Sequence, residues 1–358
     1  MAKCTPRIVL KNRYNSDPIF RVVTIFMIHV LEVAPGEYEL DWQGVFQQRP
    51  VTVTAANHPG SSQGVQLGAN QVASGRFSGL QPGRRYYFQF DDNDGSIAIA
   101  AQRGIPVEGS VNFRDFGGYR TMDGRVTKWG RFFRSGHLSE ISNAEQKYLA
   151  QLDINTVCDF RRQAEMESER SLLPGDPTIH QVEIVPGARD PNHIHQLLAT
   201  ATTPKDVFNE MIEIMRILIT EAAPHYRRLF EIMLGHEQGA LLINCSAGKE
   251  RTGVGAALVL MALGIPRDVI EQEFMLSKEY YPVHREIPRV LEKYNVALPG
   301  EDGVKLVMPL LETHSAYIRV VFEEIDKGFD SDQEFIKATY GLTDNDLAAL
   351  REKYTEKF

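Results

Sequence analysis

Leu241-Leu242-Ile243-Asn244-Cys245-Ser246-Ala247-Gly248-Lys249-Glu250-Arg251-Thr252-Gly253 decides the reading of this 358-residue chain. An apolar run ends at a cysteine, five residues separate it from Arg251, and an apolar helical pattern follows over 254–263. That order predicts a buried strand, a tight loop and the N-terminus of a helix. Such a loop cradles a phosphate with backbone N–H groups and the positive helix end. The same field favours a thiolate, because a thiol near pKa ~8.5 falls to roughly 3.5–7.5 at helix N-termini beside cations. A nucleophile and an anion cradle in one loop point to phosphoryl transfer through cysteine.

Each loop residue has a physical role in that chemistry. Cys245 attacks phosphorus and splits the reaction into two easier steps through a phosphocysteine. Arg251 offers a planar fork that matches two phosphate oxygens. Ser246, Ala247, Gly248, Lys249, Glu250 and Arg251 make up the expected phosphate-binding set, with Lys249 as a second cation at the mouth. Gly248 and Gly253 allow positive φ or close backbone approach. Thr252 donates its hydroxyl to the sulfur and eases its departure. A buried, inert thiol is the plain alternative for any free cysteine, and it is the reading given to Cys158, alone in its strand.

Composition bounds the class. The chain is 43% hydrophobic and 24% charged, with net charge −8 and pI near 5.7. An acidic protein is a poor nucleic-acid partner, so any positive pocket is local. Three cysteines imply no disulfide framework and suit a reducing, cytoplasmic setting. The apolar segment 19–33 is broken by Arg21, His29 and Glu32, so it reads as strands and gives no stable membrane insertion. No cofactor is implied. The His193/His195 pair has no carboxylate or cysteine cluster around it in the sequence, so no metal is expected.

Two halves differ in periodicity. Residues 1–105 read as an all-β sandwich, with strands over 20–27, 37–42, 51–54, 85–90 and 96–101 between Gly-, Pro- and Asp-rich turns. Within it, Leu80-Gln81-Pro82-Gly83-Arg84-Arg85-Tyr86-Tyr87-Phe88-Gln89-Phe90 resembles the tyrosine-corner strand of fibronectin type III modules, with Trp42 as the core tryptophan. From 106 to 358 strands and helices alternate, which predicts an α/β fold. Strands are expected at 155–160, 181–186 and 240–244, and helices at 207–218, 224–234 and 267–277. Ser142 with Glu145 and Thr343 with Asp346 mark two capped helix starts. A phosphate loop at the carboxyl end of a sheet strand is the expected placement.

Cys245-Ser246-Ala247-Gly248-Lys249-Glu250-Arg251-Thr252-Gly253 resembles the Cys-x-x-Gly-Lys-Asp-Arg-Thr-Gly loop of bacterial and fungal atypical protein-tyrosine phosphatases, the tyrosine/serine phosphatase group. Further segments match in order: Val111-Asn112-Phe113-Arg114-Asp115-Phe116-Gly117-Gly118-Tyr119, Gly130-Arg131-Phe132-Phe133-Arg134-Ser135-Gly136, and Val157-Cys158-Asp159-Phe160-Arg161 with Glu165. Downstream, Glu273-Phe274-Met275-Leu276-Ser277-Lys278 and Tyr340-Gly341-Leu342-Thr343 also resemble family segments. The resemblance implies a cysteine-phosphatase fold, a small mixed or parallel sheet flanked by helices. It also implies activity on phosphotyrosine, in some members on phosphoserine/threonine or phosphoinositides. Two departures stand out. Asn244 replaces the histidine that helps hold the thiolate, and Glu250 replaces aspartate.

Ester cleavage also needs an acid for the leaving oxygen. Asp159, which the resemblance aligns with the family's Asp-Leu-Arg aspartate, is the first choice; Glu250 within the loop and Asp190 before Pro191 are the alternatives. Arg114 and Asp115 read as structural. Lys249 and Arg251 with Arg161 and Arg162 make an expected cationic mouth. It suits a phosphorylated protein, or a phosphoinositide as the alternative substrate. Helix 207–218 is either a lid or packing. A phosphate-binding pseudophosphatase, weakened by Asn244, is the rival reading.

Overall fold

The computed structural model describes residues 28–46, 49–92, 94–185, 193–296 and 300–357. The expected strand at 20–27 lies outside the described residues. Seven strands come first: β1 (His29–Ala34), β2 (Glu37–Asp41), β3 (Val51–Ala56), β4 (Val65–Gln71), β5 (Ser74–Phe77), β6 (Tyr87–Asp91) and β7 (Ile97–Ala101). They form two antiparallel sheets, β1-β2-β5 and β4-β3-β6-β7. Alternation places Val51, Val53 and Ala55 with Phe88, Phe90, Ala98 and Ala100 inside, around Trp42 and Phe46. Trp42 lies 5.1 Å from Phe90 between ring centroids. The Gln81 N–H donates to the Tyr86 hydroxyl at 3.0 Å, the local bond of a tyrosine corner.

Next come β8 (Arg114–Asp115), β9 (Arg125–Thr127), β10 (Phe132–Ser135), α1 (Asn143–Leu149), β11 (Ile154–Asp159), α2 (Gln163–Ser168) and β12 (Thr178–Gln181). The chain continues through α3 (His193–Thr200), α4 (Pro204–Thr220), α5 (Ala223–Gly235), β13 (Ala240–Asn244), α6 (Glu250–Leu263), α7 (Arg267–Met275) and α8 (Ser277–Tyr280). It ends in α9 (Val283–Lys293), α10 (Gly300–Leu311), α11 (Ser315–Asp326), α12 (Asp332–Tyr340), α13 (Asp344–Tyr354) and β14 (Thr355–Lys357).

The central sheet runs β12-β11-β13-β10-β8, parallel except for β8. β13, apolar on both faces, sits in its middle. One face packs Leu241 and Ile243 against α6, α5 and the C-terminal helices. The other packs Leu242, Phe133 and Val157 against α1 and the segment around Ile105. α6 is apolar all round because it is enclosed on every side.

The expected strand at 181–186 is displaced, with β12 ending at Gln181. Val182 and Ile184 still donate to Asp159 O (2.8 Å) and Phe160 O (3.1 Å), so the chain runs on beside β11. α4 buries Met211, Ile214, Met215 and Leu218 in the core, which makes it packing rather than a lid.

Candidate active site

β13 delivers Cys245 to the carboxyl edge of the sheet, and α6 begins five residues later. The backbone between them is turned inside out by partners from behind. Ser246 O accepts from the His137 N–H at 2.8 Å. Gly248 O accepts from Asn112 Nδ2 at 2.8 Å and from the Arg134 guanidinium, which also reaches Lys249 O at 3.4 Å. A trans peptide points its N–H opposite to its C=O. The amides of Ala247, Lys249 and Glu250 therefore face the interior of the loop. The first-turn amides of α6 have no intrahelical acceptor, and Lys249 at the N-cap supplies no side-chain cap. Gly248 N–H reaches Cys245 Sγ at 3.2 Å.

The tight backing requires glycine at two places. Gly248 has φ +67°, and a Cβ there would stand 2.5 Å from Gly136 N. A Cβ on Gly136 would stand 2.7 Å from Ser246 O. Beneath the loop, Glu273 of α7 joins Arg114 Nε (3.0 Å) and an Arg134 terminal nitrogen (2.7 Å). Burial and the neighbouring Arg114 bring Arg134 down to about 10, so it stays charged at neutral pH. The Asn-Phe-Arg-Asp and Phe-Arg-Ser segments are thus the frame of the loop.

Arg251 is 6% exposed and its guanidinium end is gripped by Glu165 in a two-point bond, 2.9 Å on each side. Ser246 Oγ donates to the same carboxylate at 2.6 Å. Burial opposes the charge of Glu165, but Arg251 beside it holds the carboxyl well below its usual range. Arg251 Nε takes no acceptor among the described residues. Thr252 Oγ1 is buried and without a partner among them. So are both side-chain polar atoms of Asn244.

The sequence assigns no role to Glu165. Nothing local in a short polar helix marks it out. Only the fold brings it to Arg251.

Three expectations are corrected. Asp159 does not join the cluster. Arg161 holds both its oxygens, with Nε at 3.0 and 3.1 Å and a terminal nitrogen at 2.7 Å, and Asp159 is 1% exposed. Register places Asp159 opposite Asn244, on the sheet face of Val157 and Leu242, whereas Cys245 belongs to the other core. A carboxylate held this way anchors Arg161, which in turn holds Glu169 O and Ser171 Oγ after α2.

Lys249 is not at the mouth. Its ammonium, 1% exposed, donates to Leu310 O (2.7 Å) and Leu311 O (2.6 Å) at the end of α10 and lies 4.4 Å from the Tyr281 ring. A helix C-terminus attracts a cation, so Lys249 can serve a phosphate only through its amide. Arg161 likewise leaves the expected cationic mouth; Arg162 stays near it, joined by Lys293 of α9, which was unforeseen, and a network of Glu165, Glu169 and Glu286 pairs these cations and Arg289. Arg162 Nε lies 3.3 Å and Lys293 Nζ 4.0 Å from Glu165.

Glu250, the first residue of α6, keeps a partly exposed side chain, with Lys249 Nζ 3.8 Å away. Asp190 lies outside the described residues. His193 pairs with Glu210 at 2.6 Å. Ala247 packs against the cluster formed by α9 and α10, and Cys245 at the base of the loop is 2% exposed.

A family model described as the tyrosine phosphatase family matches residues 105–356. The chain belongs to that family, and with it to the protein-tyrosine phosphatase enzymes. It is similar to a protein of Cupriavidus necator classed by name as a tyrosine-protein phosphatase, 29% identical over 72% of this chain and 91% of the relative. It is also similar to the triple specificity protein phosphatase PtpB of Mycobacterium tuberculosis, 26% identical over 64% of this chain and 91% of that protein. A tyrosine-protein phosphatase of Nostoc commune is 26% identical over 42% of this chain and 49% of its own length. No helix among the described residues is long and apolar enough to cross a membrane.

Proposed function

We propose that this chain hydrolyses phosphomonoesters of proteins, phosphotyrosine first, through a phosphocysteine on Cys245. The observation that carries the reading is the inward-facing loop, with a sulfur at its base and an arginine fixed at its rim. Glu165 occupies the end of the Arg251 guanidinium, and Phe160 O and Ile184 O take up the far nitrogen, which leaves Nε and the side of its neighbouring nitrogen, 3.4 Å from Ser246 Oγ, to meet phosphate oxygens.

In the first step Cys245 Sγ bonds to phosphorus while the ester P–O bond breaks. Glu250 gives its proton to the departing oxygen. In the second step water attacks phosphorus, Glu250 takes a proton back, and the S–P bond breaks with Thr252 Oγ1 donating to the sulfur. Glu250 is preferred to Asp159 because it lies in the loop and is not committed to an arginine.

The accessory β-sandwich is assigned to 1–105 and the catalytic unit to 106–358. The family match starting at residue 105 supports that division. A reducing, cytoplasmic setting suits the thiol.

A phosphoinositide or inositol phosphate substrate is the second reading. It is favoured by Arg162 and Lys293, which lie within 4.0 Å of the same Glu165 that holds Arg251. The test is p-nitrophenyl phosphate hydrolysis with EDTA present, for the wild type and Cys245→Ser. The proposal expects turnover only in the wild type; equal turnover in both, or none in the wild type, rejects it. A panel of phosphopeptides and inositol phosphates ranks the two substrate classes.

A further inference from the structure

β8 is only two residues long, and its two side chains reach in opposite directions. Arg114 reaches Glu273, which also holds Arg134, and Arg134 grips the carbonyls of Gly248 and Lys249. Asp115 instead faces the β-sandwich. There Arg85, from the segment leading into β6, places one terminal nitrogen 2.8 Å from Asp115 Oδ2 and the other 2.6 Å from Gln102 O. The pair is sealed, with Arg85 2% and Asp115 1% exposed. The same carboxylate accepts from Gly117 N–H and Gly130 N–H, each at 2.9 Å, which pins the turn after β8 to the turn before β10. β8 and β10 are paired in register, Asp115 with Phe133 and Arg114 with Arg134. Contacts from Gln151 to Gly83 O (3.0 Å) and to Arg85 N–H (3.2 Å) fix the approach of the sandwich.

We infer that Arg85 of the β-sandwich is a positioning residue for the phosphate loop, acting through Asp115 and the β8–β10 pair on Arg114 and Arg134. Arg85 lies outside the residues that match the family model, so the sandwich supplies part of the frame on which the loop of this chain rests. A buried carboxylate needs a buried cation. Removing Arg85 cuts the tie between the sandwich and β8 and leaves Asp115 with only the Gly117 and Gly130 amides and the more distant Arg103, so β8 is no longer held in place. Any shift of β8 moves Arg114, which holds Asn112 and Glu273, and its register partner Arg134, which grips the loop carbonyls.

The inference rests on the proposed reading of the loop, so its test includes a readout independent of turnover. Orthovanadate binding and p-nitrophenyl phosphate kinetics are measured for full-length wild type, Arg85→Met and Arg85→Lys, at a temperature where circular dichroism shows folded protein. In Arg85→Met, kcat is expected to fall about tenfold or more, the cost of a small displacement at a reacting site. Vanadate affinity is expected to weaken in parallel, with partial recovery in Arg85→Lys. A folded Arg85→Met with kcat and vanadate affinity within about twofold of wild type, below the usual size of such couplings, overturns the inference. If Arg85→Met does not fold, Arg85→Met/Asp115→Asn replaces it, since no charge is then left unpaired, and the same criterion decides. A wild type that binds vanadate without hydrolysing the ester rejects the proposed activity alone, and the vanadate series still decides on Arg85.

Discussion

Glu165 closes the end of the Arg251 guanidinium with two bonds of 2.9 Å, and both groups are buried. The arginine is thereby fixed before any ligand arrives, so little side-chain entropy remains to be lost on binding. Glu165→Ala leaves a buried cation unpaired and should cost about 3–5 kcal/mol of stability. Vanadate affinity should fall with it. Chemical denaturation and vanadate titration check both; an equally stable variant with unchanged affinity contradicts this role.

Glu250 and Asp159 separate by leaving group. Glu250→Gln should lower kcat by about 10²–10⁴ on alkyl phosphates and much less on p-nitrophenyl phosphate, whose leaving group needs no proton. Asp159→Asn should lower Tm through the loss of the Arg161 clamp, with the same effect on kcat for every leaving group. The reverse pattern returns the acid role to Asp159.

Lys249 ties the loop to the end of α10. Lys249→Met should cost about 1–3 kcal/mol by leaving buried carbonyls without a donor. Hydrogen exchange at the last turn of α10 should speed up, while vanadate affinity falls less than in Glu165→Ala. A large loss of anion affinity with unchanged exchange in α10 would place the ammonium at the phosphate instead.

His236 gives the fold a pH dependence. Burial, with Arg131 and Lys353 nearby, pushes its pKa down from 6.5 to about 4. It bonds as the neutral ring between Tyr354 Oη (3.2 Å) and Asn155 Oδ1 (3.1 Å). The unfolded chain takes up the proton first as pH falls. Its contribution to stability is therefore full above pH 6.5 and is lost between there and about pH 4. Tm measured across that window should drop, and less steeply in His236→Gln. Parallel curves for the two proteins contradict the assignment.

Contiguous features were legible in the sequence. β13, the loop and α6 are one uninterrupted pattern, and capped helices announced themselves at Ser142 and Thr343. β4 and β5 were not foreseen, because Val65–Gln71 carries Gly68 and a left-handed Asn70 on a mostly exposed edge, with little alternation to read. In the candidate site, what escaped was tertiary pairing. Glu165 stands 86 residues from Arg251 in the chain, and nothing around it signals the contact. Asp159 and Lys249 looked functional by type and spacing. Each has a closer partner: for Lys249 the end of α10, which only the folded chain supplies, and for Asp159 the arginine two residues on, which was in view but whose side-chain direction was not. Strand parity carried the missing hint for Asp159, since it and Asn244 share a face that Cys245 does not.

The most direct test of the central claim is a rapidly quenched turnover of phosphorylated substrate, followed by proteolysis and mass spectrometry. The account predicts a phosphate adduct on the peptide that contains Cys245, absent in Cys245→Ser and longer-lived in Glu250→Gln. An adduct on another side chain, or steady turnover with no covalent intermediate at Cys245, contradicts it.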